Sequence, residues 1–125
     1  MMLTAVLAAM ASVPGMAFAQ GGDAAAGQRV FNQCRACHTS EQGGRQGVGP
    51  NLFGIVGRRA GAIEGFRYSA NMRELATEGL TWSDDRLRAY IGNPKAVVPR
   101  GSMSFPGIRN ETQVNDLMAY LASLK

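Results

Sequence analysis

This sequence has few of the side chains that usually carry chemistry. In 125 residues there are two cysteines, Cys34 and Cys37, and a single histidine, His38. A structural zinc site normally takes four such ligands, so three fall short of one. No Lys or Arg precedes the N-terminal apolar run Leu3 to Val13. That run of eleven residues is too short for a membrane span, which needs about 20 apolar residues. There is no low-complexity tract, no internal repeat and no segment with the period-two alternation of a half-buried strand. There is also no block of cations and no nucleic-acid-binding motif. The net charge is +4, and eleven of the thirteen cations are Arg. So mild a basic excess favours acidic partner surfaces over nucleic acid.

What is present begins with a leader. In "MMLTAVLAAMASVPGMAFAQ", Pro14-Gly15 breaks the apolar run and Ala17-Phe18-Ala19 fits a small-x-small cleavage pattern. Residues 1–19 are expected to be a secretory signal peptide, despite the missing positive n-region, which a start site placed too late would explain. The alternative is an uncleaved membrane anchor. Residues 20–125 are expected to form one domain of about 106 residues, enough for a modest core.

Helix signals follow. Asp23 is placed to cap a helix from about Ala24 to Ala36, with Val30 and Phe31 inward and Gly27 on the same side. From Thr39 to Gly65 the chain holds eight glycines and Pro50. So long a structureless stretch needs something to wrap around. Ser69 caps a short helix, about Ala70 to Ala76, and Ser83 caps another, about Asp84 to Gly92, which Pro94 ends near Asn93. The last helix starts at Asn110 and puts Val114, Leu117, Met118, Leu121 and Leu124 on one face. The chain is expected to be all-α, with about four to five helices, long loops and few core aliphatics.

Cys34, Cys37 and His38 lie within one five-residue span, C-x-x-C-H. A disulfide suits an exported protein. A thioredoxin-like pair wants a βαβ context that is absent. Covalent haem attachment uses all three side chains, because positions i, i+3 and i+4 share a face at a helix end. Two thiols then add to the vinyl groups and the imidazole reaches the iron. A haem would also supply the apolar body that the long loops enclose. Haem is the reading best supported, with disulfide and zinc left as alternatives. His38 supplies one axial ligand only. Among Met72, Met103 and Met118, the first and last fall at inward helical positions, where Met usually fills core. Met103 lies in "VVPRGSMSFPGI", a loop with no helical stripe to join, and is the candidate for the other side of the iron. His/Met ligation raises the haem potential and suits electron transfer.

With these residues in place, the chain resembles the class I c-type cytochromes, both mitochondrial cytochrome c and its soluble bacterial counterparts. The likeness runs over nearly all of residues 22 to 125, through "CRACHT", "GPNLFGIVGRRAG", "GFRYS", "GLTWSDDRL", "YIGNPK", "SMSFPGI" and "DLMAYL". It implies a small cytochrome c fold around one covalent haem c, with Cys34 and Cys37 as thioethers and His38 and Met103 on the iron. It implies that Pro50 accepts from the other His38 nitrogen and that Arg58, Tyr68, Ser69 and Trp82 surround the haem propionates. Phe105 would lie beside the haem edge, and Gly27, Phe31 and Tyr120 at the crossing of the terminal helices. Two departures stand out. Val97 falls where the mitochondrial proteins are taken to carry a Tyr whose hydroxyl reaches the axial sulfur. "PRGSM" replaces Pro-Gly-Thr-Lys-Met, with the glycine one place later.

The resemblance implies a soluble, monomeric one-electron carrier in the bacterial periplasm, not an enzyme and without a small-molecule substrate. Its partners would be redox proteins with acidic docking surfaces: a quinol-cytochrome c reductase type complex, a terminal oxidase, a photosynthetic centre or a periplasmic dehydrogenase. Arg35, Lys95, Arg100 and Arg45 would form a sparse basic rim. The alternative function is a haem enzyme or gas sensor with an open distal iron site.

Overall fold

The structure, a computed structural model, describes residues 21–125. The expected signal peptide lies outside them. No helix among the described residues is long and apolar enough to cross a membrane. Five α-helices appear in the order α1 (Ala24–Val30), α2 (Ala70–Thr77), α3 (Asp84–Gly92), α4 (Pro94–Val97) and α5 (Glu111–Ser123). No strand forms among the described residues, only an isolated antiparallel bridge between Arg59 and Thr81.

Four helix starts are fixed by local side chains. Asp23 accepts from the N–H groups of Ala25 and Ala26, Ser69 from Met72, Ser83 from Arg86 and Asn110 from Gln113. Each bond satisfies an N–H that the helix itself leaves free. Two features differ from expectation. α1 does not run to Ala36. It tightens at Phe31 into a 3-10 turn, Phe31–Cys34, as helices often do at their ends. Pro94 ends α3 but also opens α4, because proline at the first helical position gives up an N–H that would be free anyway.

The core is centred on α1 and α5, which pack on each other more extensively than any other pair of helices. Asp23 makes the join polar at its edge: its own N–H donates to Asp116 Oδ1 at 2.8 Å. Gly27 makes it close. A Cβ there would run into the α5 backbone at Asp116, which explains a glycine within a helix that otherwise favours alanine. Phe31 is 0 % exposed and meets the Tyr120 ring at 5.3 Å between centroids. Burying Phe31 alone is worth about 2–3 kcal/mol. The Tyr120 hydroxyl donates to Ser40 at 3.0 Å, so the same crossing also pins the loop that follows His38.

The long loop is tied down on residues 80–82, just before α3. Ala60 N–H donates to the Leu80 carbonyl, Trp82 N–H to Arg58 and Gly57 N–H to Trp82, at 2.9, 2.8 and 2.7 Å. These bonds set Arg58 and Trp82 beside each other although they are distant in sequence.

Candidate functional site

The residues Cys34 to His38 continue the 3-10 turn. The N–H groups of Cys37 and His38 both donate to the Cys34 carbonyl, at 3.1 and 2.9 Å. Cys34, Cys37 and His38 therefore reach one cavity of about 260 Å³, partly open to solvent. Its apolar wall includes Phe31, Leu52, Ile55, Leu87, Ile91 and Leu121. Val48, 80 % exposed, stands at its mouth.

Both thiols are free. Burial pushes Cys34 up to about 11, with Cys37 adding to the shift and Arg35 opposing it. The βαβ context that a thioredoxin-like pair wants is absent among the described residues, which form no strand. Among the described residues no group of three or more His, Cys, Asp or Glu side chains is placed to hold a metal ion. The zinc alternative therefore lacks a ligand set.

His38 is held on two sides. Its Nδ1 lies 2.7 Å from the Pro50 carbonyl oxygen. A carbonyl only accepts, so Nδ1 carries the proton and Nε2 keeps its lone pair. Burial lowers the His38 pKa below its ordinary value, while the bond to Pro50 works against that. The ring is neutral near pH 7, the form that donates to a metal. Gly49 lies flat against it, since a Cβ at 49 would collide with the imidazole.

Pro50 is held in turn by Asn51, which is 7 % exposed. The Asn51 carboxamide donates to Thr39 Oγ1 at 2.7 Å and to the Glu41 carbonyl at 3.0 Å, and accepts from Phe53 N–H at 3.1 Å. Its N–H donates to Gln46 at 2.7 Å, and its carbonyl accepts from Arg58 Nη1 at 3.0 Å. Arg58 Nη2 reaches the Phe53 carbonyl at 2.6 Å. Arg58 thus braces the His38–Pro50 loop as well as facing the cavity. Burial lowers its pKa and neighbouring Tyr68 opposes that.

The remaining expected residues, Tyr68, Ser69, Trp82, Met103 and Phe105, line the same cavity. All ten sequence-level candidates are therefore brought together. Tyr68 accepts from Ile63 N–H at 3.1 Å and keeps its own O–H to give. Trp82 is 5 % exposed. Its indole N–H has no acceptor among the described residues and is not fully buried, and the residue lines the cavity.

Met72 also reaches the cavity; Met118 does not and is core, 3 % exposed. Val97 is not among the residues that line the cavity and packs against the core instead. Tyr90 on α3, a residue read from sequence only as part of a core stripe, does line the cavity. Burial pushes its phenol up to about 12, and its ring stacks on Trp82 at 4.8 Å. A hydroxyl within an apolar stripe was the available signal. Two cations of the expected basic rim have neighbours of their own. Arg100 pairs with Glu74 at 2.8 Å, and Arg35 sits over the Phe31 ring at 5.1 Å.

An all-helical shell folded round an apolar cavity, with unpaired thiols and a neutral, braced imidazole on its wall, fits a protein that attaches haem covalently. The cavity offers an apolar lining, a free nitrogen lone pair and the Tyr68 O–H as an unused donor, and the haem fits that set. Residues 24–125 match the family described as Cytochrome c. The chain is 46 % identical over 100 residues to cytochrome c2 of Blastochloris viridis, covering 79 % of this chain and 76 % of that one. It is 40 % identical to cytochrome c2 of Rhodospirillum rubrum, covering 96 % and 93 %. Among solved structures it resembles cytochrome cH from Methylobacterium extorquens, with a TM-score of 0.73, 42 % identity and coverage of 82 % and 99 %. The chain belongs to the cytochrome c family, and membership implies one covalently bound haem c.

Proposed function

We propose that this protein is a soluble one-electron carrier whose haem is attached through Cys34 and Cys37 and ligated by His38 Nε2 and Met103 Sδ. The observation that carries this reading is the 2.7 Å contact between His38 Nδ1 and the Pro50 carbonyl. It fixes the tautomer, turns the lone pair outward and raises ligand basicity. When bound, the haem supplies an iron that takes up and releases one electron without making or breaking substrate bonds.

The protein's own residues do the rest. Phe31, Leu87 and Leu121 exclude water. Tyr68 O–H, Trp82 N–H and the Arg58 charge offset the cost of placing the haem carboxylates in a low-dielectric site. Phe105 and exposed Val48 lie where a partner protein would approach. Met103 is favoured over Met72 because Met72 is fixed on α2, its N–H bonded to Ser69, whereas Met103 sits on a loop.

Export to the periplasm follows from the leader "AVLAAMASVPGMAFA" and is part of the proposal. So is a partner class of redox proteins from respiratory or photosynthetic chains. With so sparse a basic rim, electron-transfer rates should fall only gently as salt rises.

The test is Met103→Ala beside Met72→Leu. Met103→Ala should keep the covalent haem, lose the ferric sulfur-to-iron band at the red end of the spectrum, lower the potential and let the ferrous protein bind carbon monoxide. Met72→Leu should keep the band. The reverse pattern overturns the ligand assignment. Carbon monoxide binding by the unaltered ferrous protein would favour the open-site enzyme or sensor instead.

A further inference from the structure

The segment that carries Met103 is tied to α2 through one residue, Arg100. Val98, Pro99, Arg100 and Gly101 close a β-turn in which Gly101 N–H donates to the Val98 carbonyl at 3.0 Å. Val98 anchors that turn at 1 % exposure. No non-glycine residue among those described has a positive φ. Proline at the second position, glycine at the fourth and a negative φ at the third make the type I pattern. Pro-Gly at the second and third positions, as in Pro-Gly-Thr-Lys-Met, favours type II instead. Moving the glycine one place therefore admits a side chain at position 100.

That residue is gripped twice. Its N–H donates to Asn71 Oδ1 at 2.8 Å, and its guanidinium donates to Glu74 Oε2 at 2.8 Å. Asn71 and Glu74 are three apart on α2 and share a face. Asn71 is 7 % exposed. The ion pair is open to water, with side chains 73 % and 54 % exposed, so it adds little and is screened by salt. Beyond Arg100, Ser102 to Gly107 make no hydrogen bond among the described residues until Ile108 N–H donates to the Ile91 carbonyl at 2.9 Å. The turn at Arg100 is the last fixed point before Met103.

We propose that Asn71, assisted by Glu74, is a positioning residue for the Met103 thioether, through the N–H and guanidinium of Arg100. This rests on the reading of Met103 as the distal ligand. The effect is a bias: holding Arg100 raises the fraction of time that the loop presents its sulfur inward, against an outside ligand competing for the same position.

The experiment uses the full haem-bound ferric protein with imidazole as the competing ligand. Asn71→Leu keeps volume but removes the acceptor; Asn71→Asp keeps an acceptor. Asn71→Leu should raise imidazole affinity about tenfold, weaken the ferric sulfur band and speed amide hydrogen exchange at Arg100. Asn71→Asp should return all three toward the starting values. Glu74→Gln should raise imidazole affinity about twofold. Added salt should do the same to the unaltered protein and nothing further to Glu74→Gln. If Asn71→Leu lowers resistance to guanidinium while imidazole affinity and the band stay put, Asn71 is a packing residue and the proposal fails. If that variant does not fold, the surface arms decide, and imidazole affinity indifferent to both Glu74→Gln and salt overturns it. A wrong ligand assignment shows separately, as a sulfur band that survives Met103→Ala while exchange at Arg100 still responds to Asn71.

Discussion

The two loops that face the haem cavity are built on opposite plans. Residues 39–53, after His38, are cross-braced. Leu52 N–H bonds the Thr39 carbonyl at 2.9 Å, Gly49 N–H bonds Cys37 at 2.8 Å, and Asn51 has its carboxamide and both backbone groups engaged. Residues 99–107, around Met103, hold to the protein through Arg100 and Gly101 and then make no hydrogen bond among the described residues until Ile108. The imidazole is thus set in place by the polypeptide, whereas the polypeptide gives the Met103 thioether only a short tether. Regions with few protected hydrogen bonds open at lower free energy. Ligand exchange should begin on the methionine side.

The sharpest way to break this contrast is Asn51→Ala. It deletes three side-chain hydrogen bonds, each worth about 1 kcal/mol net, and should lower unfolding free energy by about 3 kcal/mol in guanidinium titrations. Next comes Gly49→Ala. Its Cβ would press on the His38 ring, at a cost of about 2 kcal/mol as overpacking. Resonance Raman should show a shifted iron–histidine environment, with the red-end sulfur band kept.

A third prediction uses pH. Unfolded, Tyr90 ionises near its ordinary value of 10; folded, burial holds it at about 12. The folded state keeps the proton longer, so stability is intact below pH 10 and falls as pH rises from about 10 toward 12. Tyr90→Phe should flatten that fall in denaturant midpoints measured across the window. Smallest of all is Ser104→Ala on the methionine loop. Ser104 is exposed and makes no hydrogen bond among the described residues, so its removal should move stability by less than about 0.5 kcal/mol. A large loss there would erase the difference between the loops.

How much of this was legible beforehand depends on distance along the chain. The caps at Asp23, Ser69, Ser83 and Asn110 join a side chain to an N–H two or three residues on, and short-range pattern finds them. The five-residue Cys34–His38 span is equally local. α4 was missed although Pro94 at a first helical position is a fair signal, because four residues carry no periodicity. The early end of α1 was missed because nothing local at Phe31 demands a 3-10 turn. The links of Asn71 and Glu74 to Arg100 join residues 29 and 26 apart, and no spacing rule reaches that far. Arg58 was read from resemblance as a propionate neighbour, and its grip on Asn51 and Phe53 appears only in three dimensions. Val97 was singled out from resemblance, and the place of Tyr90, seven residues earlier, on the cavity wall appears only in three dimensions.

The small bridge at Arg59 and Thr81 has one more consequence. It pinches the chain so that the segment from 61 to 79 leaves and returns at the same spot, like a bight in a rope. Doubling the length of such a closed stretch costs only about 0.6 kcal/mol. It can therefore be lengthened at little entropic cost without disturbing the Arg58–Trp82 knot, provided Tyr68, Ser69 and Asn71 keep their places. Cutting it back far enough to drop α2 would slacken the thioether's mooring and leave the imidazole side untouched.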